Sequence, residues 1–187
     1  MKDTFLPYVM AETERDGRAV MKHSGKNPGG LAPCQGMGVA LMEAKIAAER
    51  GEVPVGAVVL DEAGRVLSVA GNEVEATHDA AAHAELLAMR RAARAVGKTR
   101  LEGCTLIVTL EPCPMCAAAA VHFRVNRIVF GAYDPKGGGV DHGPRVIQHA
   151  SCMQHPEIIG GVRDRESAAL LREFFRGLRE REVAPQR

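Results

Sequence analysis

The spacing of apolar and polar positions changes several times along the chain, and each change predicts an element. Over residues 38–50, Leu41, Met42, Ile46 and several alanines recur at helical spacing, and Gly51 suits a C-terminal cap. The unbroken apolar run 55–60 reads as a buried strand. A turn at 61–64 and an alternating stretch at 65–70 make it the first half of a hairpin. Residues 71–79 read as a loop. An Ala- and Leu-rich segment without breakers predicts a helix over 80–96, closed by Gly97. A β-branched strand at 105–110, a short helix from Pro114 through Ala120 and a strand at 126–131 follow. That strand–helix–strand order predicts parallel pairing. The Gly-, Pro- and His-rich stretch 134–161 reads as irregular, and loops of such length tend to be functional. At 167–178, Leu171, Phe174, Phe175 and Leu178 share one face, with Arg172, Glu173, Arg176 and Arg179 opposite, which predicts an amphipathic closing helix.

Residues 1–36 lack this periodicity. They are polar and contain Asn27-Pro28-Gly29-Gly30, so they predict a poorly ordered extension before a domain at 37–182, with 183–187 as a tail. A start of translation at Met37 is the alternative. Asp3, Glu12, Glu14 and Asp16 count against a transit peptide. The chain's 187 residues allow one sizeable core. A net charge of +1 gives no support to a strongly electrostatic nucleic-acid binder, although a local basic face can hide in a neutral total. No apolar run is long enough to span a bilayer, so the expectation is a cytoplasmic protein without membrane contact. Five cysteines, an odd number, argue against a disulfide framework.

Two short motifs carry candidate chemistry. His83-Ala84-Glu85 opens the second predicted helix, and Pro112-Cys113-Pro114-Met115-Cys116 joins a strand to a helix start. Cys113 and Cys116 are spaced to put both sulfurs on one side of a helix N-terminus, whose partial positive charge favours thiolate. Pro114 suits the first helical position. With His83 they form a three-ligand zinc set that leaves a fourth position for water, the pattern of a catalytic site. Glu85 is then placed to take a proton from that water, hand it to a ring nitrogen and help an amine leave. Two rival readings remain. One is a thioredoxin-like redox pair, which leaves His83 and Glu85 unexplained. The other is a structural zinc site completed by His78 or Cys104. Cys34, Cys104 and Cys152 read as ordinary thiols.

The two motifs are similar to the signature of zinc nucleobase deaminases. From Met37 to Arg179 the chain resembles the bacterial tRNA-specific adenosine deaminases. The resemblance is carried by the segments 52–58, 82–85, 108–116, 129–132 and 134–138. It implies a three-layer α/β/α cytidine-deaminase-like fold with a five-stranded mixed sheet. It implies one Zn2+ per subunit, and a homodimer with its active sites near the interface. It also implies conversion of adenosine to inosine in a tRNA anticodon loop, at the wobble position. By matching positions, Asn72 contacts the flipped base, the Ala84 N–H and Val53 line the pocket, and Asp134 lies near the RNA strand. The plainer reading of Asn72 is a turn residue. Arg163, Arg165, Arg172, Arg176, Arg179 and Arg181 could meet RNA. Interleaved Asp164, Glu166, Glu173, Glu180 and Glu182 suit a solvated face equally well.

The chain departs from many members of that family at 139–145, where it reads Gly-Val-Asp-His-Gly-Pro-Arg. The departure bears on substrate more than on chemistry. The alternatives are therefore a free nucleobase or nucleoside deaminase, acting on guanine or cytosine, and a non-catalytic zinc-stabilised binding module. Glu85 disfavours the module, because a structural site needs no such carboxylate.

Overall fold

The computed structural model describes residues 30–183. The expectations for 1–29 and 184–187 lie outside the described residues. Regular structure begins at Pro33 and not near Met37. Pro33 occupies the first turn of helix α1 (Pro33–Glu49), where its missing N–H costs nothing, and the Gln35 side chain accepts the Ala32 N–H at 2.9 Å.

Strands β1 (Gly56–Leu60) and β2 (Val66–Gly71) form the predicted antiparallel hairpin. Its turn is closed by Asp61, whose carboxylate accepts the Arg65 N–H at 2.8 Å. Helix α2 (Val74–Thr77) is a single turn inside the predicted loop. Its first N–H groups, from Glu75 and Ala76, donate to the buried carboxylate of Glu52 at 3.2 and 2.9 Å. Helix α3 (Ala84–Val96) starts later than the alanine run predicts. Asp79 Oδ1 takes the Ala81 N–H into a turn, and Asn72 Oδ1 takes the Ala84 N–H, so side chains outcompete helix propensity over 80–83. Gly97 ends α3 with φ of 66°, as a glycine cap should.

Strand β3 (Thr105–Leu110), helix α4 (Pro114–His122) and strand β4 (Arg127–Ala132) complete the central unit. A fifth strand, β5 (Glu157–Ile159), interrupts the stretch expected to be irregular. At this length no alternation is visible in the sequence. The strand forms because it pairs in parallel with β4, with Arg127 Nε 2.7 Å from Glu157 Oε2. Helix α5 (Asp164–Val183) closes the fold and is longer than predicted at both ends.

The sheet order is β2-β1-β3-β4-β5. β1 is antiparallel to β2 and β3, while β3, β4 and β5 are parallel, giving the expected five-stranded mixed sheet. Alternate strand residues face opposite ways. Ala57, Val59, Leu106, Val108, Ile128 and Phe130 pack with α3 and α4. Val58, Leu60, Ile107 and Val129 pack with α1 and with Leu170 of α5. Both faces are covered, which is why these strands read as unbroken apolar runs. Among the described residues no helix is long and apolar enough to cross a membrane.

Candidate metal and catalytic site

Two helix N-termini bring the candidate ligands together. His83 is the N-cap of α3 and Cys113 the N-cap of α4, with Cys116 in the first turn beyond it. Residues at such positions reach past the end of a helix and are not committed to its flank. His83 Nδ1 lies 3.6 Å from Cys113 Sγ and 3.7 Å from Cys116 Sγ. The three donor atoms all fall within 4.8 Å of one another. Tetrahedral zinc with ordinary bond lengths to nitrogen and sulfur needs neighbouring donors about 3.6 Å apart, so the donor set fits zinc.

The same three side chains share their protons in a way that suits a metal. The Cys116 thiol donates to Cys113 and, against the cost of burial, holds the Cys113 thiol well below its usual range. Donation to Cys113 and burial push Cys116 up. The hydrogen bond with Cys113 raises His83, against burial. One sulfur is thus held ready as thiolate, and a cation between the donors takes the place of the proton on the other.

Glu85 follows in the first turn of α3. It is buried, and burial pushes its carboxyl up to about 7. Its Oε2 has no hydrogen-bond partner among the described residues. A buried carboxylate oxygen without a partner is costly unless a ligand completes it. Neither rival fourth ligand joins this set. Among the described residues the metal-competent group is His83, Cys113 and Cys116 alone. Cys104 precedes β3 while Cys113 follows it, which separates them by roughly 20 Å of strand. His78 caps α2 in a left-handed conformation and lies outside the group.

The residues expected to bind substrate are placed as follows. Asn72 is buried, and its Oδ1 accepts the Ala84 N–H at 2.9 Å, which ties the end of β2 to the start of α3 beside His83. The Ala84 N–H is therefore engaged by Asn72. Val53 is half-buried against the α3–α4 core. Asp134 begins the loop after β4, and its Oδ1 accepts the N–H groups of Lys136 and Gly137 at 3.1 and 3.0 Å. Its own N–H donates to Glu111. Glu111 and Glu52 are buried acids to which the sequence pattern assigned no role. The signal was an acidic residue at the mouth of an apolar strand, in each case just before a proline-containing turn.

Comparison with known proteins agrees with this geometry. Residues 33–132 match the family model "Cytidine and deoxycytidylate deaminase zinc-binding region". The chain is 49% identical over 141 residues to a tRNA-specific adenosine deaminase of Agrobacterium fabrum, covering 75% of this chain and 91% of that one. It is 45% identical over 148 residues to the tRNA-specific adenosine deaminase of Bacillus subtilis, covering 79% and 91%. A structure solved in studies of A-to-I editing by tRNA:A34 deaminases at the wobble position of transfer RNA superposes with a TM-score of 0.72. It has 45% identity and covers 73% of this chain and 99% of that one. With its zinc-binding region matched from α1 to the end of β4, the chain belongs to the cytidine and deoxycytidylate deaminase family, among the tRNA-specific adenosine deaminases.

Proposed function

We propose that this chain hydrolyses the 6-amino group of adenosine at the wobble position of a tRNA anticodon, giving inosine and ammonia. The observation that carries the reading is the buried Oε2 of Glu85, without a partner among the described residues, beside a three-donor metal set whose remaining position no described side chain fills. His83 Nδ1, Cys113 Sγ and Cys116 Sγ would hold the zinc, which would supply a nucleophile at neutral pH by acidifying water.

Glu85 Oε2 carries one proton of the attacking water to the ring nitrogen, then a second, from the new C6 hydroxyl, to the amine, which leaves as ammonia as the C6–N bond breaks. Burial places this carboxyl near neutrality, where a group can both take up and release a proton. Asn72 is oriented through its bond to the Ala84 N–H, which leaves its Nδ2 to contact the base. Val53 forms the apolar wall. Asp134 stands on the loop that meets the RNA strand. An anticodon loop suits such a site because its bases are already unpaired and unstack cheaply. The reading carries with it a cytoplasmic homodimer with one zinc per subunit.

The experiment is inosine formation on a tRNA transcript with adenosine at the wobble position. Free guanine, cytosine and adenosine run beside it, with Glu85→Ala as control. Inosine on the tRNA alone, lost in the control, is the expected result. Ammonia released from a free base, with the tRNA unchanged, overturns the substrate and keeps the chemistry.

A further inference from the structure

One buried carboxylate takes no part in the chemistry above. Glu111 follows β3, just before the Pro112–Cys116 turn, and is 2% exposed. Its Oε1 accepts the N–H groups of Asp141 and His142, both at 2.9 Å, and of Val140 at 3.3 Å. Its Oε2 accepts the Asp134 N–H at 3.0 Å and the His142 Nδ1–H at 2.7 Å. The donor at Nδ1 follows from the partner, since an ionised carboxylate can only accept. These bonds hold the carboxyl below its ordinary range even though burial pushes it up. Among the described residues no Lys or Arg side chain pairs with it, and converging amides and one imidazole take the place of a counter-ion.

The loop so gathered lies directly on the metal turn. The Gly139 N–H donates to the Pro112 carbonyl at 2.8 Å. A Cβ on Gly139 would sit 2.6 Å from Pro114 Cα and 2.9 Å from the Cys113 carbonyl carbon. A Cβ on Gly138 would sit 2.5 Å from Glu111 Oε1. Beyond this contact the loop exposes Tyr133, Lys136 and Arg145, an aromatic ring and two cations. The His142 ring meets Tyr133 edge-on at 5.9 Å.

We infer that Glu111 and His142 are positioning residues, which lock the 134–142 loop against the Pro112–Cys116 turn and set the nucleic-acid-facing wall of the site. The inference rests on the tRNA reading for what the wall meets, and on the hydrogen bonds alone for the lock. His142 lies within the 139–145 stretch, so the lock is completed by a residue of the loop that departs from many members of the family. Glu111→Gln turns one acceptor into a donor that faces other donors. Misplacement of such a wall by about 1 Å can cost about 100-fold in rate.

The test uses the full-length zinc-loaded protein with Glu111→Gln, His142→Ala and His142→Asn. It reads zinc content, kcat and KM on the wobble-adenosine tRNA, and amide hydrogen exchange. With zinc retained, Glu111→Gln is expected to lower kcat/KM by up to about 100-fold, and His142→Ala to raise KM several-fold. Both speed exchange at Val140, Asp141 and His142. Asparagine places an N–H donor where Nδ1 stood, so His142→Asn moves back toward wild type. Wild-type exchange in Glu111→Gln and His142→Ala overturns the lock. A lowered Tm with unchanged kcat and KM overturns the positioning role and leaves Glu111 to stability. Should Glu111→Gln fail to fold, the His142 pair decides. A wild-type protein that leaves the tRNA untouched defeats the functional reading, while exchange still judges the lock.

Discussion

His83 and Cys113 occupy equivalent places, each the N-cap of a helix that packs on the same face of the sheet. The segment 134–156 is built differently. Its regular structure is one three-residue turn of 3-10 helix (Val146–Gln148), and its 134–142 part is gathered by a carboxylate from another element. The metal ligands inherit their geometry from helix ends, where local backbone bonding and nearby side chains set direction. The loop inherits its geometry from a single distant group. Substitutions among the ligands should therefore act as a switch, whereas substitutions in the loop should act by degree.

Cys113→Ser is expected to have the largest effect, with zinc stoichiometry falling well below one and deamination lost, read by metal analysis and inosine assay. Retained stoichiometric zinc with activity would place the ligand set elsewhere. Chelation of the wild-type protein should do the same reversibly. It should also lower Tm, because a ligand that binds only the folded state stabilises it. Glu85→Ala separates binding from chemistry on the same helix. Zinc stays, and kcat falls about 100- to 10,000-fold, the range expected of a lost general acid–base. Gly139→Ala probes the other region, since its methyl group meets the Pro114 backbone and must displace the loop. The expected result is a several-fold rise in KM with zinc unchanged. Wild-type kinetics would mean that the loop moves without consequence. Arg127→Ala closes the series at the sheet edge. Its ion pair with Glu157 is half exposed, so urea unfolding should register a loss of about 1 kcal/mol or less, with activity unchanged.

Legibility differed in the same way. The hairpin, α3, β3, α4 and β4 could be read because each carries its own period, breaker or cap within a few residues. The cluster of His83, Cys113 and Cys116, with Glu85 in the turn beside it, could be read because that spacing has chemical meaning on a helix start. α2 and β5 could not, being too short to show a period. α2 exists because Glu52 caps it, and β5 because β4 offers a parallel edge. The start of α3 was misplaced because Ala80, Ala81 and Ala82 have helix propensity, while Asp79 and Asn72 make competing bonds.

The amino-acid sequence by itself determined the order of the longer elements, the mix of antiparallel and parallel pairing that follows from a hairpin and a strand–helix–strand unit, and the chemical class of the site. These rest on local periodicity and on ligand types, which survive in one dimension. Tertiary structure alone decided that His83 Nδ1 meets both sulfurs, that Glu85 is buried beside them, and that Glu111 gathers the loop after β4. Each of these depends on two segments far apart in the chain being pressed together by a shared apolar core, and burial and convergence of that kind leave no mark in the spacing of residues.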